Sequence, residues 1–140
     1  MKHTAMLRVA SLLSVLLFTF HVADDIARGM ESGTVSNLAA VPICVAWLYG
    51  TLVLAERWSG HVIMLVGGLL GMAVPVLHMM GSGVGPIARA GGALFFIWTL
   101  LALGVSALFS FILSARGLWS LTLGRSRWSR PDDVGLRGTR

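Results

Sequence analysis

From residue 60 to residue 80 the chain reads GHVIMLVGGLLGMAVPVLHMM, without a single Asp, Glu, Lys or Arg. At about 1.5 Å of rise per residue, one helix of this stretch crosses the hydrocarbon core of a bilayer. A helix that is apolar on every side has no polar face to give to water, so it belongs inside a large core or a membrane. The chain is too short for the first. Uncharged runs at 9–23, 32–55, 58–88 and 90–115 take up most of its 140 residues, and the charged residues, 12% of the total, fall between them. This pattern predicts an all-α integral membrane protein with four transmembrane helices in an antiparallel bundle, with spans at about 6–25, 36–55, 60–80 and 90–113. Residues 1–116 form the membrane domain of this reading and 117–140 a basic tail.

Charge placement sets the orientation. With the N-terminus inside, Lys2, Arg8, Arg57, Arg116, Arg125, Arg127, Arg130, Arg137 and Arg140 all lie on the cytoplasmic side, and only Arg28 and Arg89 lie outside. That is the positive-inside pattern, and it places both termini in the cytoplasm of a plasma (inner) membrane. Arginine outnumbers lysine ten to one, a bias that points to a bacterial source. A basic start followed by the run 9–23 also fits a signal peptide, but bulky His21 stands where cleavage after Ala23 needs a small residue, so an uncleaved first span is expected. The net charge of +5 is accounted for by topology and by anionic lipid at the tail, and nucleic acid is not an expected partner. Trp58, Trp119 and Trp128 stand beside basic residues at span ends and are expected at the membrane interface.

Ser36 or Asn37 is expected to cap the second helix. The loop at 81–89, GSGVGPIAR, is a flexible connection, and residues from 131 onward are expected to be disordered. Within the third span Gly67 and Gly71 form a G-x-x-x-G pair, and in the fourth Ala102, Ser106 and Ser110 recur every four residues. Small residues at this spacing admit the close approach of another helix, either within the chain or in a homo-oligomer or membrane partner. Cys44 is the single cysteine, so no disulfide can form within the chain.

One constellation carries chemistry. In HVADD, His21 stands three residues before Asp24 and four before Asp25, which puts imidazole and carboxylate on one helical face. His78, two residues from the end of the third span, falls at a similar depth. His21, Asp24, Asp25 and His78 therefore form a candidate metal site: nitrogen and carboxylate donors suit zinc, and the thioethers of Met30, Met79 and Met80 would favour copper(I). A haem held between His21 and His78 is the other cofactor arrangement a helical bundle allows. His61 belongs to the opposite end. No nucleophile elbow, phosphate loop or dinucleotide fingerprint occurs, and the central parts of the spans lack the acid or base that ion-coupled carriers use. The leading expectation is a non-enzymatic accessory or scaffold subunit that acts by helix packing. Beside it stand an outward-facing metal or haem protein and, third, a carrier or membrane enzyme with an outer cleft.

Overall fold

The computed structural model describes residues 2–29, 38–80 and 93–128, with the side chains of residues 2 and 124–128 left aside. Apart from a 3₁₀ turn at 38–39, their regular structure is α-helical: α1 (Lys2–Ala27), α2 (Ala40–Leu52), α3 (Trp58–Met80) and α4 (Ala93–Trp128). Three of these, α1, α3 and α4, are long and apolar enough to cross a membrane.

Local chemistry sets most of the boundaries. α1 has no glycine or proline along its length and ends at Ala27; Gly29, two residues on, takes a left-handed φ of 67° and donates its N–H to the Ile26 carbonyl, closing the helix end. α2 is shorter than the expected span of 36–55. Ala39 is its N-cap and makes no side-chain cap bond, while Ser36 and Asn37, the expected caps, lie outside the described residues. At its other end the chain turns back after Leu52, and Gly60, near the start of α3, packs so close to the Leu54 carbonyl that a Cβ there would have no room. α4 departs furthest from expectation. It does not stop near Leu113 but continues through Arg116 to Trp128. Gly117 lies within it and faces His61, whose imidazole fills the space that a side chain at 117 would need. The glycine-rich loop at 81–89, Met30 and the segment from 131 onward lie outside the described residues.

The helices alternate in direction, α1 and α3 running one way and α2 and α4 the other. α4 packs extensively on both α3 and α1, α2 lies against α3 and α1, and α1 and α3 touch each other little. The glycine face of α3 is used in this packing. Gly67 abuts the Trp47 indole, Gly68 lies against the α4 backbone at Ala107 and Phe111, and Gly71 faces Ala107. Pro75 sits inside α3 with its ring over Gly104. Ser106 and Ser110 are buried and Ala102 is half-buried. Trp58 and Trp119 are exposed, and Trp128 is the last residue of α4.

The outside of the molecule is apolar, and inside polar side chains share the core with apolar ones such as Leu7, Trp47, Met64 and Phe96. Leu13, Leu16, Phe20, Val45, Leu69, Leu101 and Phe109 face outward, whereas Ser11, Ser14, Thr51, Thr99, Ser106, Ser110 and Ser114 are buried. Water would reject such a surface and hydrocarbon accepts it. Trp47 Nε1 donates to Ser11 Oγ at 2.9 Å, Ser11 Oγ lies 2.7 Å from Thr51 Oγ1, and Thr51 donates to the Trp47 carbonyl at 2.8 Å, tying α1 to α2. Ser14 reaches Ser106 at 3.2 Å, tying α1 to α4. Ser110 Oγ and Ser114 Oγ are buried with no hydrogen-bond partner among the described residues. The two kinds of hydroxyl should respond oppositely to deletion. Ser11→Ala strands the indole N–H and costs about 1–3 kcal/mol. Ser110→Ala removes a desolvated group without breaking a bond, and leaves stability unchanged or raised. Thermal unfolding in detergent, with the two variants side by side, checks the sign.

Candidate metal centre

Three helices meet at one end of the bundle. α1 brings His21 and Asp25 in its last two turns, α3 brings His78 in its last turn, and α4 brings Phe96 in its first. Side chains advance by about 100° per residue around a helix. From His21 that places Asp25 about 40° to one side and Asp24 about 60° to the other, so both adjacent carboxylates cannot share one target. Asp25 turns inward and is 7% exposed. Asp24 instead accepts a 2.7 Å hydrogen bond from Arg28 Nε, one turn on, and this bond holds the Arg28 guanidinium above its ordinary pKa. Of the four residues expected to act together, the structure gathers His21, Asp25 and His78 and leaves Asp24 outside the donor set.

Asp25 Oδ2 lies 3.5 Å from His21 Nε2 and 3.6 Å from His78 Nε2, and one ligand atom from each of the three residues falls within 4.8 Å of the others. These separations are too long for good N–H···O hydrogen bonds, which fall at about 2.7–3.2 Å. Two of the separations lie near the roughly 3.3–3.4 Å that neighbours show around a tetrahedral ion at about 2.0–2.1 Å, while the widest of the three, 4.8 Å, exceeds the roughly 4.2 Å that one such ion spans, so the imidazoles must close on an ion that binds both. The tautomer of His78 agrees. Its Nδ1 lies 2.9 Å from the Val74 carbonyl. A carbonyl only accepts, so Nδ1 carries a proton, and in the neutral imidazole Nε2 then holds the lone pair, on the side of Asp25. Metal-ligating histidines are oriented by the same kind of backbone bond. His21 is 1% exposed, and neither of its ring nitrogens has a hydrogen-bond partner among the described residues. An imidazole in that state is costly in an apolar bundle unless something binds it.

Phe96 closes the inner wall. It is fully buried, 5.2 Å from the His21 ring and 5.7 Å from the His78 ring between centroids, and Arg28 stands over it at 5.9 Å. Sequence reasoning missed Phe96 and Arg28. Arg28 was detectable as the i+4 partner of Asp24, but nothing separates Phe96 from Phe95 or Trp98 in an apolar run.

The arrangement discriminates among cofactors. A bis-histidine haem needs its porphyrin plane between the two imidazoles. Here the rings stand 4.8 Å apart, edge to face, with Phe96 against both, and leave no slot for it. Copper(I) favours thioether donors, but Met79 and Met80 are 72% and 82% exposed, and Met30 lies outside the described residues. The remaining donor set, two imidazoles and one carboxylate, suits zinc and the divalent ions near it. His61 takes no part. It lies about 25 Å away along α3, and its Nδ1 is 3.0 Å from the Arg57 carbonyl. A scan against protein-family models, a search of curated proteins and a search of solved structures each return no match to this chain.

Proposed function

We propose that this chain is a metal-binding membrane protein that holds one zinc-class divalent ion at the histidine end of its bundle, through His21, His78 Nε2 and Asp25 Oδ2. One observation supports the reading: two imidazole nitrogens stand around a single buried carboxylate oxygen at 3.5 and 3.6 Å, with all three donor atoms within 4.8 Å of one another, so a small closure of the rings would bring them onto one ion. In this reading the basic end, with Arg8, Arg57 and Arg116, lies at the cytoplasmic face with both termini, and the ion sits at the opposite face. The accessory-subunit role expected from the small-residue stripes has no comparable support, because Gly67, Gly71, Ser106 and Ser110 are buried in the chain's own packing.

The test is metal content after reconstitution of detergent-purified protein with zinc, wild type beside His78→Ala. Near-stoichiometric zinc that is lost in the variant supports the site. Wild type that retains no zinc overturns it and leaves the cluster as a His–Asp–His group without a metal role.

A further inference from the structure

We infer that the arginine end of the bundle holds a phospholipid with a zwitterionic aminoalkyl headgroup, its phosphate on Arg8, its ammonium on Glu56 and an acyl chain along the groove between α1 and α4. This end lies opposite the histidine cluster, and the inference does not rest on the metal reading. Two adjoining spaces carry it. One, of about 590 Å³, is lined by Thr4, Ala5, Arg8, Val9 and Glu56. The other, of about 390 Å³, is lined by Ser106 and otherwise by apolar side chains, among them Ala10, Leu13, Phe109 and Leu113. Ala5 and Val9 border both.

Charge selects the headgroup. Arg8 Nη2 lies 3.7 Å from Glu56 Oε1, beyond the about 2.7–2.9 Å of a charge-assisted hydrogen bond, and the two side chains are 41% and 77% exposed. One cation and one anion therefore face the same space, and their charges sum to zero. A headgroup with only a negative charge gains from Arg8 and is repelled by Glu56. A headgroup with both a phosphate and a primary ammonium answers each of them. The guanidinium fork suits phosphate oxygens, and the ammonium N–H groups donate to the carboxylate. A choline headgroup has the same charges but no N–H to donate, so the carboxylate also separates the two zwitterions.

Depth and shape place the chain. Arg8 stands about 9 Å along α1 from its start at Lys2, where a long basic side chain reaches back to the interface while its stem lies in hydrocarbon. From Ala5 to Leu13 the groove follows α1 for about 12 Å toward the middle of the bundle, and antiparallel α4 supplies Phe109 and Leu113 as the facing wall. Val9, Leu13 and Phe109 are also exposed on the apolar outer surface, so the groove opens toward lipid. The methyl side chain of Ala5 makes a low border between the two spaces, and a molecule with its head beside Arg8 can pass its chain over it into the groove.

The experiment is native mass spectrometry of the full chain released from detergent, with phosphatidylethanolamine, phosphatidylcholine and phosphatidylglycerol of identical acyl chains. The expected result is phosphatidylethanolamine bound about tenfold more tightly than either of the others, the worth of one charge-assisted hydrogen bond. Glu56→Gln removes that preference. Ala5→Trp, at an exposed position that a larger side chain can occupy without entering the core, fills the border between head and chain and weakens all three lipids. Equal binding in wild type, tighter binding of phosphatidylglycerol, or a preference that survives Glu56→Gln overturns the inference. So does unchanged affinity in Ala5→Trp, because the chain then lies elsewhere.

Discussion

Asp25→Asn abolishes tight zinc binding and leaves the metal-free protein as stable as before, or more so. The substitution keeps size and shape, so it opens no cavity beside Phe96. It replaces a carboxylate that is 7% exposed with a neutral amide, and a buried charge costs several kcal/mol unless it is well compensated. The amide N–H group can also donate to an imidazole lone pair that faces it. Without metal, the balance therefore favours Asn by as much as about 1–3 kcal/mol. With metal it reverses. Wild type gains about 2.7 kcal/mol at a zinc concentration 100 times its Kd, and the variant, having lost its only anionic ligand, gains nothing. Thermal unfolding with and without zinc reads both arms. If Asp25 were only the structural partner of protonated histidines, Asn would lower the stability of the metal-free protein, and zinc would act alike on both chains; that pattern would sink the assignment. Zinc affinity in wild type should also fall on acidification, because each ligating imidazole must first give up its proton.

His21→Ala is a poorer test. The ring is fully buried, and its removal leaves a void that lowers stability whatever the residue binds.

The bundle was legible wherever hydropathy and helicity end together. α1 ends at Ala27, beside the charges that close its apolar run, and α3 ends at Met80, just before the expected loop. They part company in α4. Apolarity falls off after Leu113, but from Arg116 to Trp128 no proline intervenes and the helix runs on. Hydropathy reports the solvent around a helix, not where the backbone stops being helical. α2 fails in the other direction. Val53, Leu54 and Ala55 are as apolar as the helix before them, yet the chain turns there, and the close approach of Gly60 to the Leu54 carbonyl that goes with the turn has no signature in hydropathy.

The site shows the same division. Helical spacing put His21 and Asp25 on one face, and counting residues from the span ends put His78 at their depth. Spacing at i+3 and i+4 does not tell two carboxylates apart until the facing helix is known, so Asp24 was grouped with Asp25 although it belongs to Arg28. The small-residue stripes were legible as packing surfaces. What packs on them was not, because Gly67 meets an indole from α2 and Gly68 meets α4 backbone.

Gly68→Leu should damage both the fold and, at a distance, the metal site. A Cβ at Gly68 would stand 2.9 Å from the Ala107 carbonyl oxygen and 3.0 Å from the Phe111 nitrogen. Both are backbone atoms in the middle of α4, so no rotamer change relieves the clash and the two helices must separate. Overpacking of this kind costs about 1–3 kcal/mol or more, and for a domain of this size that is a fall in Tm of roughly 10 °C. The damage then travels to the metal. α1 and α3 hold the three ligands but touch each other little, and both are positioned by α4. Moving α4 moves Phe96 and changes the gap between His78 and the α1 pair. Zinc affinity should therefore fall in Gly68→Leu although every ligand is present, and saturating zinc should recover part of the lost Tm. Val66, which faces outward on the same helix, is the control: Val66→Leu should change neither quantity. If Gly68→Leu leaves Tm and zinc affinity intact but alters the cross-linking pattern between chains, the glycine face serves a neighbouring molecule in the membrane, and the α3–α4 packing described here is not what holds the site together.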